Sequence, residues 1–245
     1  MRLPPPREPH RRDVQDALAY DLWIPDGPPP WPGVVILHGA GSRKENHTDF
    51  ARAAVGNGYA TVNFDQRGHG ATGGLLSPAT MFADVLTMVR LLVSVDGVDA
   101  QQIALRGSSL GGNIAIHAAA RSSEVAAVVA ICPAGEEHLL RGLRAGHLEM
   151  DCDIGALEAH LGEHDVRDAV TRLDGRPLLL HHAEGDEQIP VAHSRELAAI
   201  SPTTTELIAI PGGHHRSIQH DPDLQAHALR WLDHRFGRRG KSRRR

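Results

Sequence analysis

Aromatic side chains make up only 4% of this 245-residue sequence. A core built from it must be filled by aliphatic and alanine side chains. Cysteine is scarcer still: Cys132 and Cys152 are the only two, too few for the disulfide framework of a small secreted domain. No long hydrophobic run is present. The longest, residues 125–132, falls far short of the ~20 residues that cross a bilayer. The opening MRLPPPREPHRRD lacks the apolar stretch of a secretory signal. A cytoplasmic location without membrane association is the expectation. Charge of one sign is also lacking. The net charge is −4, which points away from nucleic acid as a partner. The one basic run, residues 238–245, reads as a solvated tail. Histidine is plentiful at 17 residues, yet no HExxH helix and no paired Cys/His spacing accompanies it. Neither a metal nor a cofactor is expected from that pattern. A homodimer is compatible with the composition, which does not fix the oligomeric state.

What is present is alternation. After a Pro- and Arg-rich stretch over residues 1–16, expected to be irregular, strand and helix signals follow one another through residues 17–237. Apolar runs at 34–37, 60–64, 103–105, 125–131, 178–180 and 206–210 read as strands. Helical spacing appears over 45–56, after Ser77-Pro78, after residue 109 and after Asp221-Pro222, where Gly237 stops the last helix. Such alternation predicts an α/β domain, a mostly parallel central sheet with helices on both faces. Ligands of such sheets bind beyond the carboxyl ends of the strands. His38-Gly39, Asp65, Ser109, Asp186 and His215 all follow strands. The stretch 135–176 interrupts the rhythm with several leucines among charges. It reads either as a small helical lid or as an ordinary crossover.

Gly107-Ser108-Ser109-Leu110-Gly111 fits G-x-S-x-G between a strand and a helix. This turn exposes the central serine and aims a helix N-terminus at a developing oxyanion. The spacing puts Ser109 at the apex, with Ser108 as its rival. A serine hydroxyl needs a base, and the base needs an orienting acid. Asp186 is the candidate acid, ahead of Glu184 and Glu187. His215 is the candidate base ahead of His214, because Gly212-x-x-His215 has the usual spacing after the last strand. The Leu110 N–H and the Ala40 N–H of His38-Gly39-Ala40-Gly41 are the candidate oxyanion donors. His38 is expected to brace its loop, and Asp65 and Arg67 to hold the turn of Asp65-Gln66-Arg67-Gly68-His69-Gly70.

The set HGAG, DQRGHG, GSSLGG, EGDEQIP and GGHH resembles the α/β-hydrolase superfamily over residues 17–236. Within it the chain is similar to compact carboxylesterases and to dienelactone-hydrolase-like and peptidase-like enzymes. The resemblance implies an acyl-enzyme on Ser109 with His215 as base, and a small-molecule ester as substrate. Dienelactone hydrolases proper use cysteine where this sequence has Ser109, which favours a serine esterase. A thioester or a small peptide bond remains an alternative, as does a non-catalytic binding protein on the same fold. Dinucleotide binding at Gly39-x-Gly41 would need a third glycine where Lys44 stands, and no Gly-Lys pair marks a phosphate loop at 107–112.

Overall fold

The computed structural model describes residues 8–238. The strands, in chain order, are β1 (Arg11–Gln15), β2 (Leu18–Trp23), β3 (Trp31–Leu37), β4 (Ala60–Phe64), β5 (Val98–Ser108), β6 (Ala127–Ile131), β7 (Leu178–Ala183) and β8 (Thr205–Ile210). The helices are α1 (Thr48–Gly56), α2 (Met81–Val93), α3 (Leu110–Ala120), α4 (Glu136–Arg144), α5 (Ile154–Glu163), α6 (Val166–Thr171), α7 (Val191–Ile200) and α8 (Pro222–Arg235). The strands form one eight-stranded sheet in the order β1-β2-β4-β3-β5-β6-β7-β8. Pairing is antiparallel at β1–β2 and β2–β4 and parallel from β4 onward.

The period of two along the strands sorts side chains to two cores. Val35 and Leu37 of β3 and Val128 and Ala130 of β6 join the cluster formed with α2, α3, α6 and α7. Val34, Ile36, Ala127 and Val129 point the other way, to Phe50 and Ala54 of α1 and to Ala228, Trp231 and Leu232 of α8. The mostly parallel sheet covered on both faces matches the architecture expected from alternation. Among the described residues, no helix is long and apolar enough to cross a membrane.

Three local expectations need correction. Residues 11–15 are not irregular: they form the exposed edge strand β1, joined to β2 by Asp16 and Ala17, both at positive φ. Consecutive positive φ angles match the twist of a hairpin, but Asp-Ala lacks the glycine that would have announced the turn. Helix α2 begins at Met81, not at Pro78, because the Ser77 carbonyl closes a separate turn by accepting from the Thr80 and Met81 N–H groups. The helical signal at residue 45 resolves into a 3₁₀ turn, Lys44–His47, before α1. At the other end the expected cap is present: Asp221 Oδ1 accepts from the Asp223 and Leu224 N–H groups, and Gly237 leaves α8 at a φ of 65°. The basic run lies outside the described residues except for Arg238, which pairs with Asp233 and stacks over Tyr59.

The stretch 135–176 holds α4, α5 and α6. Helix α6 buries Val166, Ala169 and Val170 in the core, and α4 and α5 contribute Leu139, Leu157 and Leu161. The chain after α4 is pinned to the loop after β4: the Asp151 N–H donates to the Gly68 carbonyl, and the Leu76 N–H donates to the Asp151 carbonyl.

Candidate active site

Strand β5 runs into α3 through Ser109, whose φ of 52° and ψ of −119° leave the regions that L-residues favour. The turn is held by backbone. The Ser109 N–H donates to the Ile131 carbonyl at 2.9 Å, and its own carbonyl accepts from Gly112, Asn113 and Ala134. Glycine is obligatory beside it. A Cβ on Gly107 would run into the Gly111 carbonyl, and one on Gly111 into the His38 carbonyl. Ser109 stays partly exposed, whereas Ser108 is buried and its Oγ has no hydrogen-bond partner among the described residues. Leu110 opens α3, so its N–H has no acceptor within the helix.

Asp186 follows β7 and His215 follows β8. The two loops are stitched together by the Gly185 N–H donating to the Gly212 carbonyl, at a spot where a Cβ on Gly185 would meet the Gly213 carbonyl. Across this junction His215 Nδ1 lies 2.7 Å from Asp186 Oδ2. The other carboxylate oxygen accepts from the Gln188 and Ile189 N–H groups at 2.9 and 2.8 Å. Burial works against a charge on Asp186, but hydrogen bonds from His182, His215 and the Ile189 N–H outweigh it and hold the carboxyl well below the usual carboxylate range. Because Nδ1 faces the carboxylate, the other ring nitrogen of His215 is free to act.

The rivals sit elsewhere. Glu184 is exposed and pairs with Arg195, and the exposed Glu187 accepts from the His215 backbone N–H and from the Gln188 side-chain amide. His214 is exposed and its backbone bonds Ser217. Ser109 and His215 line one cavity of about 340 Å³, together with Ala40 and the side chains of Leu139 and Leu148. The structure therefore gathers all five residues singled out from the sequence, Ser109, Asp186, His215, Ala40 and Leu110, at the carboxyl ends of the strands.

The neighbouring motifs hold this frame. The His38 ring lies against the Gly39 carbonyl through Nδ1 and accepts from the Gln66 N–H through Nε2. Burial pulls its pKa down to about 4, so it stays neutral while bracing the loop. Asp65 accepts from the Lys44 and Ala71 N–H groups, and Arg67 pairs with Asp84 at 2.9 Å. Cys132 lies against the Asp186–His215 pair. Burial first, and Asp186 after it, push its thiol well above the ordinary cysteine range, which keeps it protonated and a poor nucleophile.

Sequence reasoning missed three supports. His182 sits 3.4 Å from Asp186 Oδ2 and is fully buried. Arg106 of β5 is buried, stacks 4.7 Å over Phe50 and donates to the Gln219 carbonyl, so it ties the loop after His215 to the sheet. Glu136 accepts from Asn113, His117 and the Val166 N–H, which joins α3, α4 and α6. Each is a polar residue in an apolar run or at a helix start, the only trace that the sequence carries.

Known proteins share this fold. A family model described as Serine aminopeptidase, S33 matches residues 28–148, a range that includes Ser109 and stops short of Asp186 and His215. The 2,6-dihydropseudooxynicotine hydrolase of Paenarthrobacter nicotinovorans is 32% identical over 130 residues, 52% of this chain and 35% of that protein. The quorum-quenching protein AidA of Acinetobacter baumannii is 33% identical over 107 residues, 42% of this chain and 35% of that protein. The chain thus spans about a third of the length of these two curated relatives. Among solved structures, Est1E from Butyrivibrio proteoclasticus superposes with a TM-score of 0.74 at 21% identity, covering 90% of this chain and 95% of its own. Topology and these likenesses agree on the α/β-hydrolase fold, and residues 28–148 of the chain are similar to the serine aminopeptidase family of that fold.

Proposed function

We propose that the chain is a serine hydrolase that cleaves small carboxylic esters through an acyl-enzyme on Ser109. The observation that carries this reading is the Asp186–His215 pair, 2.7 Å apart, opening onto the cavity that Ser109 lines from its strained turn. His215 accepts the Ser109 proton through Nε2 as Oγ attacks the ester carbonyl carbon. The Ala40 and Leu110 N–H groups receive the negative charge that develops on the carbonyl oxygen. His215 then protonates the departing alcohol. Water, deprotonated by the same imidazole, releases the acid and regenerates Ser109. Asp186 holds the ring in the required tautomer and stabilises its protonated form. The full set of groups also argues against a purely binding role.

A peptide-bond substrate is the second reading, favoured by the description of the matching family model. Assay of p-nitrophenyl esters of rising chain length beside aminoacyl p-nitroanilides separates the two. Turnover of the esters alone is expected. Ser109→Ala should lower that turnover by at least about 10³-fold, with the fold intact by circular dichroism and with fluorophosphonate labelling lost. Near-normal activity in Ser109→Ala together with its loss in Ser108→Ala would move the nucleophile to Ser108. Wild-type protein inert toward every ester, thioester and amide would overturn the enzymatic reading.

A further inference from the structure

We propose that Glu137, His138 and His193 form a binding site for one divalent transition-metal ion of the zinc class, joining helix α4 to helix α7. The candidate ligand atoms of these three side chains lie within 4.8 Å of one another. The two imidazoles face each other with ring centroids 5.5 Å apart and planes inclined by 60°. His138 Nδ1 is 3.6 Å from Glu137 Oε1. Metal–ligand bonds of ~2.0 Å in a tetrahedron give edges of roughly 3.3 Å, so that spacing is close to what an ion would impose.

The second observation is a failure of hydrogen bonding. His193 is only 3% exposed, and among the described residues neither of its ring nitrogens has a hydrogen-bond partner. The Nδ1 atom of His138 is buried and unpartnered as well. A buried polar atom without a partner is costly and rare in native proteins. Here three such nitrogens share one spot, beside a carboxylate that is exposed and can swing. An ion would satisfy one nitrogen on each ring. It would use neutral imidazoles, and burial holds both histidines below the ordinary range, His193 at about 4. Of the charges that face the pair, Arg167 is already engaged by Asp165 and Glu196, Arg141 is exposed to solvent, and Glu136, Glu137 and, acting on His138, Asp186 favour a cation. Two imidazoles and one carboxylate suit zinc rather than calcium or magnesium, and three protein ligands leave a position for water.

This group is separate from the Asp186–His215 pair, and the proposal does not depend on the hydrolase reading. Its position gives it a consequence there. His138 precedes Leu139, which lines the cavity, and α7 follows the loop that carries Asp186. An ion at this spot would clamp the cavity wall to the acid loop.

The test uses the full chain after chelator treatment, titrated with Co²⁺ for its visible absorption and with Zn²⁺ for stoichiometry by metal analysis. One ion per chain at micromolar concentration is expected, with the intense bands of tetrahedral cobalt. His138→Ala and His193→Ala should each weaken binding by more than tenfold, and Glu137→Gln by less. Zn²⁺ should raise the thermal midpoint of the parent but not that of His138→Ala. Circular dichroism shows whether each variant is folded, and His138→Ala decides the matter even if His193→Ala fails to fold. His164→Ala and His215→Ala should bind like the parent. No stoichiometric binding by the parent, unchanged binding by His138→Ala, or loss of binding in His164→Ala or His215→Ala would each overturn the site.

Discussion

Two regions border the same cavity and are fastened in different ways. The loops carrying Ser109, Asp186 and His215 are fixed by backbone: carbonyls crowd against glycines at 107, 111 and 185, and the Ser109 N–H is tied to the neighbouring strand β6. The 135–176 stretch is fastened at its start through one side chain, Glu136, which gathers Asn113, His117 and the Val166 N–H. Backbone fixation leaves little freedom, which suits groups that must meet within a fraction of an ångström. A side-chain anchor can be altered without disturbing the sheet, which suits a wall that sets which substrates enter. The comparison predicts that damage to the first region costs turnover, and damage to the second costs stability or selectivity.

The largest effect is expected at the histidines. His215→Ala should lose ester turnover about as severely as Ser109→Ala, by at least about 10³-fold, because such groups act as a unit. His214→Ala should stay within a few-fold of the parent, since His214 is exposed and it is His215, not His214, that pairs with Asp186. Steady-state kinetics on one short ester ranks them. The reverse ranking would break the comparison at its rigid side.

How much could be read beforehand differs between the two regions for a physical reason. Ser109 and its flanking glycines are legible because the turn forbids other residues, so the constraint is written into adjacent positions. Asp186 and His215 are legible because each directly follows a strand, and parallel strands deliver their ends to one edge. Glu136, His182 and Arg106 act through partners that lie far off along the chain, and no local pattern announces such pairings. The β1–β2 hairpin escaped because Asp16 and Ala17 adopt positive φ without glycine. The start of α2 was misplaced because Ser77-Pro78 can open a helix or a turn equally well. The pairing of His138 with His193 is hidden for the same reason as Glu136: neither residue has a metal-type neighbour at a recognisable spacing.

Glu136 offers the next largest effect. It is buried, and although burial alone would raise its pKa, hydrogen bonds from His117 and Asn113 lower it overall. Glu136→Gln keeps the shape, yet its amide NH₂ must face at least one of the donors that the carboxylate accepts. A cost of about 1–3 kcal/mol in unfolding free energy is expected. A carboxyl whose folded pKa is lowered contributes stability above its unfolded pKa and loses it as pH falls through the folded value. Parent and variant should therefore differ fully at neutral pH and converge below the ordinary glutamate range. Urea unfolding at several pH values measures this. A gap that stays constant into acid would mean that the carboxylate charge is not the anchor.

The smallest effect sharpens the comparison most, because it separates entry from chemistry. Leu148 is only partly buried, lines the cavity and lies against Gly142 of α4, while the chain beyond it is pinned to the loop after β4. Leu143 packs on the core instead. Leu148→Gln should therefore change which acyl chains are preferred, whereas a polar residue at Leu143 should mainly lower stability. Removing about one methylene's worth of apolar contact, ~0.8 kcal/mol, corresponds to roughly a fourfold change in the ratio of kcat/KM between a long and a short p-nitrophenyl ester. Turnover of the short ester should hardly move, and a fluorophosphonate probe should still label Ser109, since the groups proposed for chemistry lie on the rigid side. If Leu148→Gln keeps the parent's chain-length profile, the 135–176 stretch is a crossover and not a lid, and selectivity must come from the loops after His38 and Asp65.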